Sequence, residues 1–371
     1  MRDAEVLVVG AGPAGLATAL ELAQRGVASV VIERRRPPLD KACGEGIMPA
    51  GVRALEELGV SVPPDRCAKF RGVRFIDGPR SFEGRFSTGP GLGVRRTVLS
   101  EALLERTRSV GIPVEFGCSL REWESRADGV IARTSGGDVR VRLLVGADGL
   151  GSFVRSRAGL AAPIRRRRFG MRRHFRVAPW SPFVEVYWSA DTEAYVTPIA
   201  ADEVGVAILW GGDGRSHERC LAAFPQLEER LRGAEPVTRV RGAGPFWQGA
   251  RRRFAPGVAL VGDAAGYTDA VTGEGITLSL VCARALAEVA AERRPLADYE
   301  GAWRKLTRTH RAFATLLGFG VTHPRARSAF FAVLARRPDV FERMLGWAAG
   351  ESRDPQRSVA QAKTSIPSPP L

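Results

Sequence analysis

Gly10, Gly12 and Gly15, with Glu33 eighteen residues past the last of them, are spaced to hold a dinucleotide. The segment Gly10-Ala11-Gly12-Pro13-Ala14-Gly15 follows a short β-branched run and precedes apolar residues at helical spacing. In that setting the first glycine permits a tight turn and the second lets backbone approach a pyrophosphate. The third lets helix and strand pack closely. The phosphates meet a helix N-terminus, where free N–H groups and the helix dipole favour an anion. Glu33, with Arg34 directly after it, ends a second apolar run, where its carboxylate can accept hydrogen bonds from a ribose diol. The residues point to an adenine dinucleotide.

Two more glycine-rich turns follow buried-looking runs: Gly146-Ala147-Asp148-Gly149, and Gly262-Asp263 with Ala264, Ala265 and Gly266. Gly273, Glu274, Gly275 and Ile276 then open a long helix. In one parallel sheet these turns meet a ligand at the carboxyl edges of the strands. A single such turn suits a nucleotide; three along one chain suit a long cofactor lying across the edge. Cys43 and Gly44 sit in a loop, Asp40 to Ile47, just after the second strand. The thiol has three readings: a small residue in a tight turn, a group that shapes the cofactor pocket or relays a proton, and half of a redox disulfide.

The elements that must position these residues can be read in order. Strands are expected at Glu5–Val9 and Val27–Ile32, and a helix between them. An amphipathic helix follows from about Pro49 to Leu58, then a hairpin within 70–86 and a helix from Leu99 to about Val110. From Phe169 to Trp210 the chain reads as strands and turns, rich in Trp and Tyr. Tyr187, Trp188 and Tyr195 are expected more as core than as substrate wall, and His174 more as a surface or core residue than as part of a pocket. Helices are expected at about 297–317, 325–336 and 339–349, and residues 351–371 as a disordered tail. The expected fold is α/β, a Rossmann-like core of the glutathione-reductase type with a β-sheet substrate domain and a helical C-terminus. The core takes 1–69, 87–160 and 245–295, the substrate domain 70–86 and 161–244, and the terminal helices 296–350.

Composition narrows the function classes. The 371 residues carry a net charge of +15, and only four of the 55 basic residues are lysines. That excess fits a GC-rich coding bias, acidic substrates or an anionic lipid surface. No nucleic-acid-binding module is recognisable. The run Arg165 to Arg168 reads most simply as a solvated face, with an entry funnel for an anionic donor or substrate as the alternative. Five scattered cysteines without a C-x-x-C pair argue against a disulfide framework and a zinc site, and the four histidines show no ligand spacing, so no metal is expected. No run reaches the roughly 18 apolar residues of a spanning helix. A cytoplasmic protein is expected, with a peripheral membrane contact through Thr307 to Ala349 as an alternative to simple packing.

The fingerprint together with GADGLGSFVRSRAGL at 146–160 and GVALVGDAAGYTDAVTGEGI at 257–276 resembles the three FAD signatures of the para-hydroxybenzoate-hydroxylase-fold flavoproteins. That superfamily includes aromatic and quinone hydroxylases, geranylgeranyl reductases and flavin-dependent halogenases. The resemblance implies FAD, with NAD(P)H as the electron donor. It implies that Gly10, Gly12, Gly15 and Glu33 hold the ADP half and that Arg96 contacts the pyrophosphate region. It further implies that Asp148 and Gly149 serve FAD and the nicotinamide donor, that Asp263 binds the ribityl chain, and that Gly273 to Ile276 place N–H groups by the flavin pyrimidine. Hydroxylases carry a histidine and prolines after the third motif and a Gly-Gln-Gly-x-Asn turn. Gly266, the absence of proline up to Gly273, and Gly-Glu-Gly-Ile are closer to the reductases and halogenases. The Cys43-Gly44-Glu45-Gly46 loop also resembles the reductases, whereas the halogenase Trp-x-Trp-x-Ile-Pro segment is missing. Because hydroxylation is common in this fold, a monooxygenase acting on a small lipophilic or aromatic substrate is the leading expectation. An ene-reductase of isoprenoid or polyketide double bonds is the alternative and a halogenase the weaker one. No nucleic-acid partner is expected.

Overall fold

The computed structural model describes residues 2–164, 167–212, 214–270 and 273–348. The tail expected at 351–371, with Arg165 and Arg166 of the arginine run, lies outside them. Val6–Val9 is buried at every position and pairs in parallel with Ser29–Glu33 on one side and Leu143–Gly146 on the other. Strands covered on both faces read as unbroken apolar runs, which is why these segments were visible in the sequence. The sheet has the order 254–255, 258–260, 143–146, 6–9, 29–33, 114–116, parallel except for the outermost short strand 254–255. Val9 and Leu260 both lie in register with Gly146, so the three glycine-rich turns leave the sheet side by side.

The second large sheet runs 235–236, 168–176, 203–211, 192–200, 184–188, 72–77, 80–85, with 241–243 also paired to 168–176. The hairpin 72–85 joins it through a parallel pairing of Val73 with Val184 and Phe75 with Val186. Alternation sorts its side chains. Val186, Trp188, Tyr195 and Leu209 pack on one face with Phe331, Leu334, Phe341 and Leu345 of the C-terminal helices. Tyr187, Ala194, Val196 and Ile208 pack on the other with Phe224 and Leu227. The helices at Leu296–Thr322, Pro324–Arg336 and Pro338–Ala348 therefore cap the sheet, and edge-on ring contacts seat them. Phe82 lies 4.9 Å from Phe341 and Trp188 lies 5.4 Å from Phe331.

Two boundaries differ from expectation. The third helix begins at Arg96, three residues before Leu99, and the helix after the third motif begins at Gly275. The reading of the arginine run as a solvated face is wrong for Arg168. That side chain is buried and bonds Glu193 and, at 2.8 Å, Asp269, which also accepts from Trp247 Nε1 at 3.0 Å. A run of like charges hides a member that enters a strand whose alternation points it inward.

Glu193 shows what this burial does. Desolvation outweighs the pull of Arg168, Asp269 adds repulsion, and the carboxyl is pushed up from 4.5 to about 7. Between those values the folded state keeps a proton that the unfolded state has released. Stability from this group is therefore full at low pH and lost as pH rises through that window. Glu193→Gln mimics the protonated form. Its Tm should gain on the parent between pH 5 and pH 8, by several degrees, whereas a constant offset would contradict the assignment.

Candidate functional site

Gly10 has φ +112, and a Cβ there would lie 2.5 Å from the carbonyl oxygen of Ala147. At Gly15 a Cβ would lie 1.8 Å from the Gly10 oxygen, so first turn, helix and second motif are in backbone contact. Gly12 is different. A Cβ there would meet only the Arg96 guanidinium, at 3.7 Å. The helix Pro13–Gln24 starts from this glycine with no side-chain cap, leaving its first N–H groups available. Arg96, the first residue of its own helix, is buried, and its Nη1 has no hydrogen-bond partner among the described residues. Burial pulls this guanidinium down from its ordinary value. A desolvated cation beside an open glycine and a bare helix N-terminus calls for an anion. Glu33 sits across the turn, accepting from the Ala11 N–H and the Arg35 N–H, each at 2.9 Å, while Arg34 is exposed.

The third motif closes onto the first. Gly262 has φ +62, and a Cβ there would come within 2.6 Å of the Ala14 side chain. Lys41 Nζ bonds Asp263 at 2.7 Å and would lie 3.5 Å from a Cβ on Gly149, so one ammonium touches the second and third motifs together. Arg155 holds the same turn from behind, donating to the carbonyl oxygens of Asp263 and Ala264 at 3.2 Å. The Asp148 carboxylate serves its own turn, accepting from Ser152 Oγ and the Val154 N–H. What the second motif offers a ligand is therefore backbone around Gly149. Glu274 likewise turns its carboxylate to His310 Nδ1, 2.5 Å away. The helix Gly275–Ala291 has no side-chain cap, and Gly273 has φ +67, so Gly273 to Ile276 present backbone.

Cys43 lies in a loop tied to the substrate sheet by its neighbour. Glu45 is buried with φ +60, a conformation that a residue with a Cβ rarely adopts. One oxygen accepts from the Arg96 N–H at 2.8 Å and the other lies 2.5 Å from His174 Nε2. Arg172, buried in the sheet, bonds Asp40 at 2.5 Å and lies 3.4 Å from Glu45. His174 is thus a core residue of this network. Glu45 N–H donates to Cys43 Sγ at 3.3 Å. Burial pushes the Cys43 thiol up, with Arg96 opposing and Glu45 adding to the rise. Such a thiol keeps its proton at neutral pH, which suits an acid better than a nucleophile. No disulfide joins any two cysteines among the described residues.

A cleft of about 930 Å³ opens between the turn at 262–268 and the helix Leu296–Thr322. It reaches Gly262, Asp263 and Gly275, and Tyr267, Trp303, Arg304, Arg308 and Arg311 line it.

A family model described as FAD binding domain matches residues 3–294. The chain belongs to this family of FAD-dependent oxidoreductases. Digeranylgeranylglycerophospholipid reductase 1 of Methanopyrus kandleri is 30% identical to it over 309 residues, 78% of this chain and 80% of the relative. A flavin-dependent monooxygenase of Mycobacteroides abscessus is 31% identical over 42% of this chain and 37% of its own length. A flavoprotein/dehydrogenase from Cytophaga hutchinsonii superposes with a TM-score of 0.83, covering 98% of this chain and 96% of that one at 20% identity, a likeness of fold alone.

The flavoprotein's own residues fit FAD on the grounds already given: the orphaned Arg96 Nη1, the open Cβ position at Gly12 and two uncapped helix N-termini. Three participants escaped the sequence reading. Lys41 carried a signal, because lysine at a motif-facing loop stands out in a chain that otherwise uses arginine. Arg155 and Glu45 stood inside the quoted motifs, but nothing in the sequence marked the partners they bond. Replacing Arg96 separates stability from binding. Arg96→Met relieves a buried cation with an unmet donor, so the apo flavoprotein should melt no lower than the parent, while FAD affinity falls roughly 10- to 100-fold. Thermal melting with and without FAD checks both halves.

Proposed function

We propose that this enzyme reduces carbon–carbon double bonds of a lipophilic substrate, an isoprenoid or a polyketide, with NAD(P)H as the electron donor. The observation that carries this reading is the Cys43 thiol, kept protonated and fixed by the Glu45 N–H beside the flavin motifs. FAD, when bound, supplies a hydride to the alkene; saturation also requires a proton, which hydroxylation does not demand of a side chain. Cys43 holds that proton at Sγ. Glu45, clamped by His174 and the Arg96 N–H, sets where the thiol sits. Arg96, Gly12 and the two helix N-termini would bind and orient the cofactor. The reductase relative aligned over four fifths of this chain supports the same choice, whereas the monooxygenase relative aligns over less than half.

The alternative is hydroxylation, the leading expectation from the sequence. One experiment separates the two. Reduced enzyme mixed anaerobically with polyprenyl alkenes should reoxidise its flavin in proportion to saturated product. Product that forms only when oxygen is admitted would establish the monooxygenase and overturn the reductase.

A further inference from the structure

We infer that the outer face of the C-terminal helices docks on an anionic phospholipid membrane and presents the arginine-lined cleft to it. From Arg304 to Arg337 the chain carries eight basic residues and no carboxylate. All of these cations except Arg327 lie exposed. Leu316, Phe319, Val333 and Trp347, half of the large apolar side chains left open to solvent among the described residues, lie on the same three helices and are 46–56% exposed. Cations alone would suit any polyanion. Cations interleaved with exposed leucine, phenylalanine and valine suit a surface that is charged outside and apolar a few ångströms in. The negative potential of an anionic leaflet attracts each arginine held near it, and apolar insertion adds to that attraction.

The placement is specific. Arg304, Arg308, Arg311 and Thr315 line the cleft along one face of Leu296–Thr322 at three- and four-residue spacing, and Phe319 continues it a turn further. Desolvation, with like charge from Arg253 and Arg304 added to it and Glu300 opposing, pulls the Arg311 guanidinium down. The opposite face of the same helices, through Ala314, Leu317, Phe331 and Phe341, is buried on the substrate sheet, so the exposed residues are not an unmade core. Among the described residues no helix is long and apolar enough to cross a membrane, so the contact proposed is peripheral. The use of the cleft as a route for a lipid rests on the reading of the substrate as lipophilic; the docking itself does not.

Vesicle flotation of the full FAD-loaded chain tests the docking without substrate or reductant, so its outcome is independent of the reduction assay. Recovery with phosphatidylcholine–phosphatidylglycerol vesicles at low salt should exceed recovery with phosphatidylcholine alone at least about 10-fold and fall as salt rises. The double variant Leu316→Asn, Phe319→Asn, with unchanged flavin absorbance, should lose most of it. No recovery of the parent, or equal recovery of the variant, would overturn the proposal. So would a parent dimer that the variant turns monomeric without vesicle binding, which would assign the face to a second copy of the chain.

Discussion

Gly12→Val is expected to purify as a folded, colourless protein whose affinity for FAD has dropped at least about 100-fold, or about 2.8 kcal/mol. The apo fold tolerates the change because the Cβ position at Gly12 meets nothing closer than the Arg96 guanidinium. The valine methyls then occupy the space in front of the bare helix N-terminus and separate Arg96 from any phosphate. Gly15→Val is the informative contrast. Its Cβ would overlap the Gly10 carbonyl oxygen at 1.8 Å, so that variant should lose the fold and the flavin together. Melting of apo protein and FAD titration separate the two. Parent-like FAD affinity in Gly12→Val would show that the cofactor lies elsewhere.

Replacing the thiol should give the other large effect. Cys43→Ala should lower the rate of anaerobic alkene reduction about 100-fold or more, the usual contribution of a positioned acid, with FAD retained. Cys43→Ser, a poorer acid of nearly the same size, should recover binding of substrate but little of the rate. Because burial raises the thiol, the parent rate should hold through neutral pH and fall only above the ordinary thiol range, while the residual rate of Cys43→Ala should lack that limb. Parent rates in both variants would remove Cys43 from the reaction and leave it a loop residue.

The contrast between what the sequence disclosed and what it concealed follows from the range of each interaction. Val6–Val9 and Leu143–Gly146 were legible because burial on both faces imposes composition on the residues themselves. The glycines were legible because the contacts at Gly10 and Gly15 forbid any side chain. Glu45 was seen only as part of a loop motif and its role was invisible: it depends on His174, 129 residues away, and the positive φ leaves no mark on residue type. Arg168 was misread for a related reason. Its partners, Glu193 and Asp269, are 25 and 101 residues distant, and local charge density says nothing of them. Asp148 was recognised as part of a motif, but which group its carboxylate accepts from is a matter of rotamer and not of spacing.

The strand order of the cofactor sheet also bears on how the chain is made. Leu143–Gly146 lies between Val6–Val9 and Val258–Leu260, so one of its edges has no partner until residue 260 has left the ribosome. At about 5–20 residues per second that interval lasts roughly 6 to 20 s, long compared with hairpin closure and collapse. During it the nascent chain holds an apolar parallel strand with open N–H and C=O groups, the form of edge most prone to pair with a neighbour on the same message. Slow synthesis through 147–257 should therefore lower the soluble yield, and chaperone capture during that window should raise it.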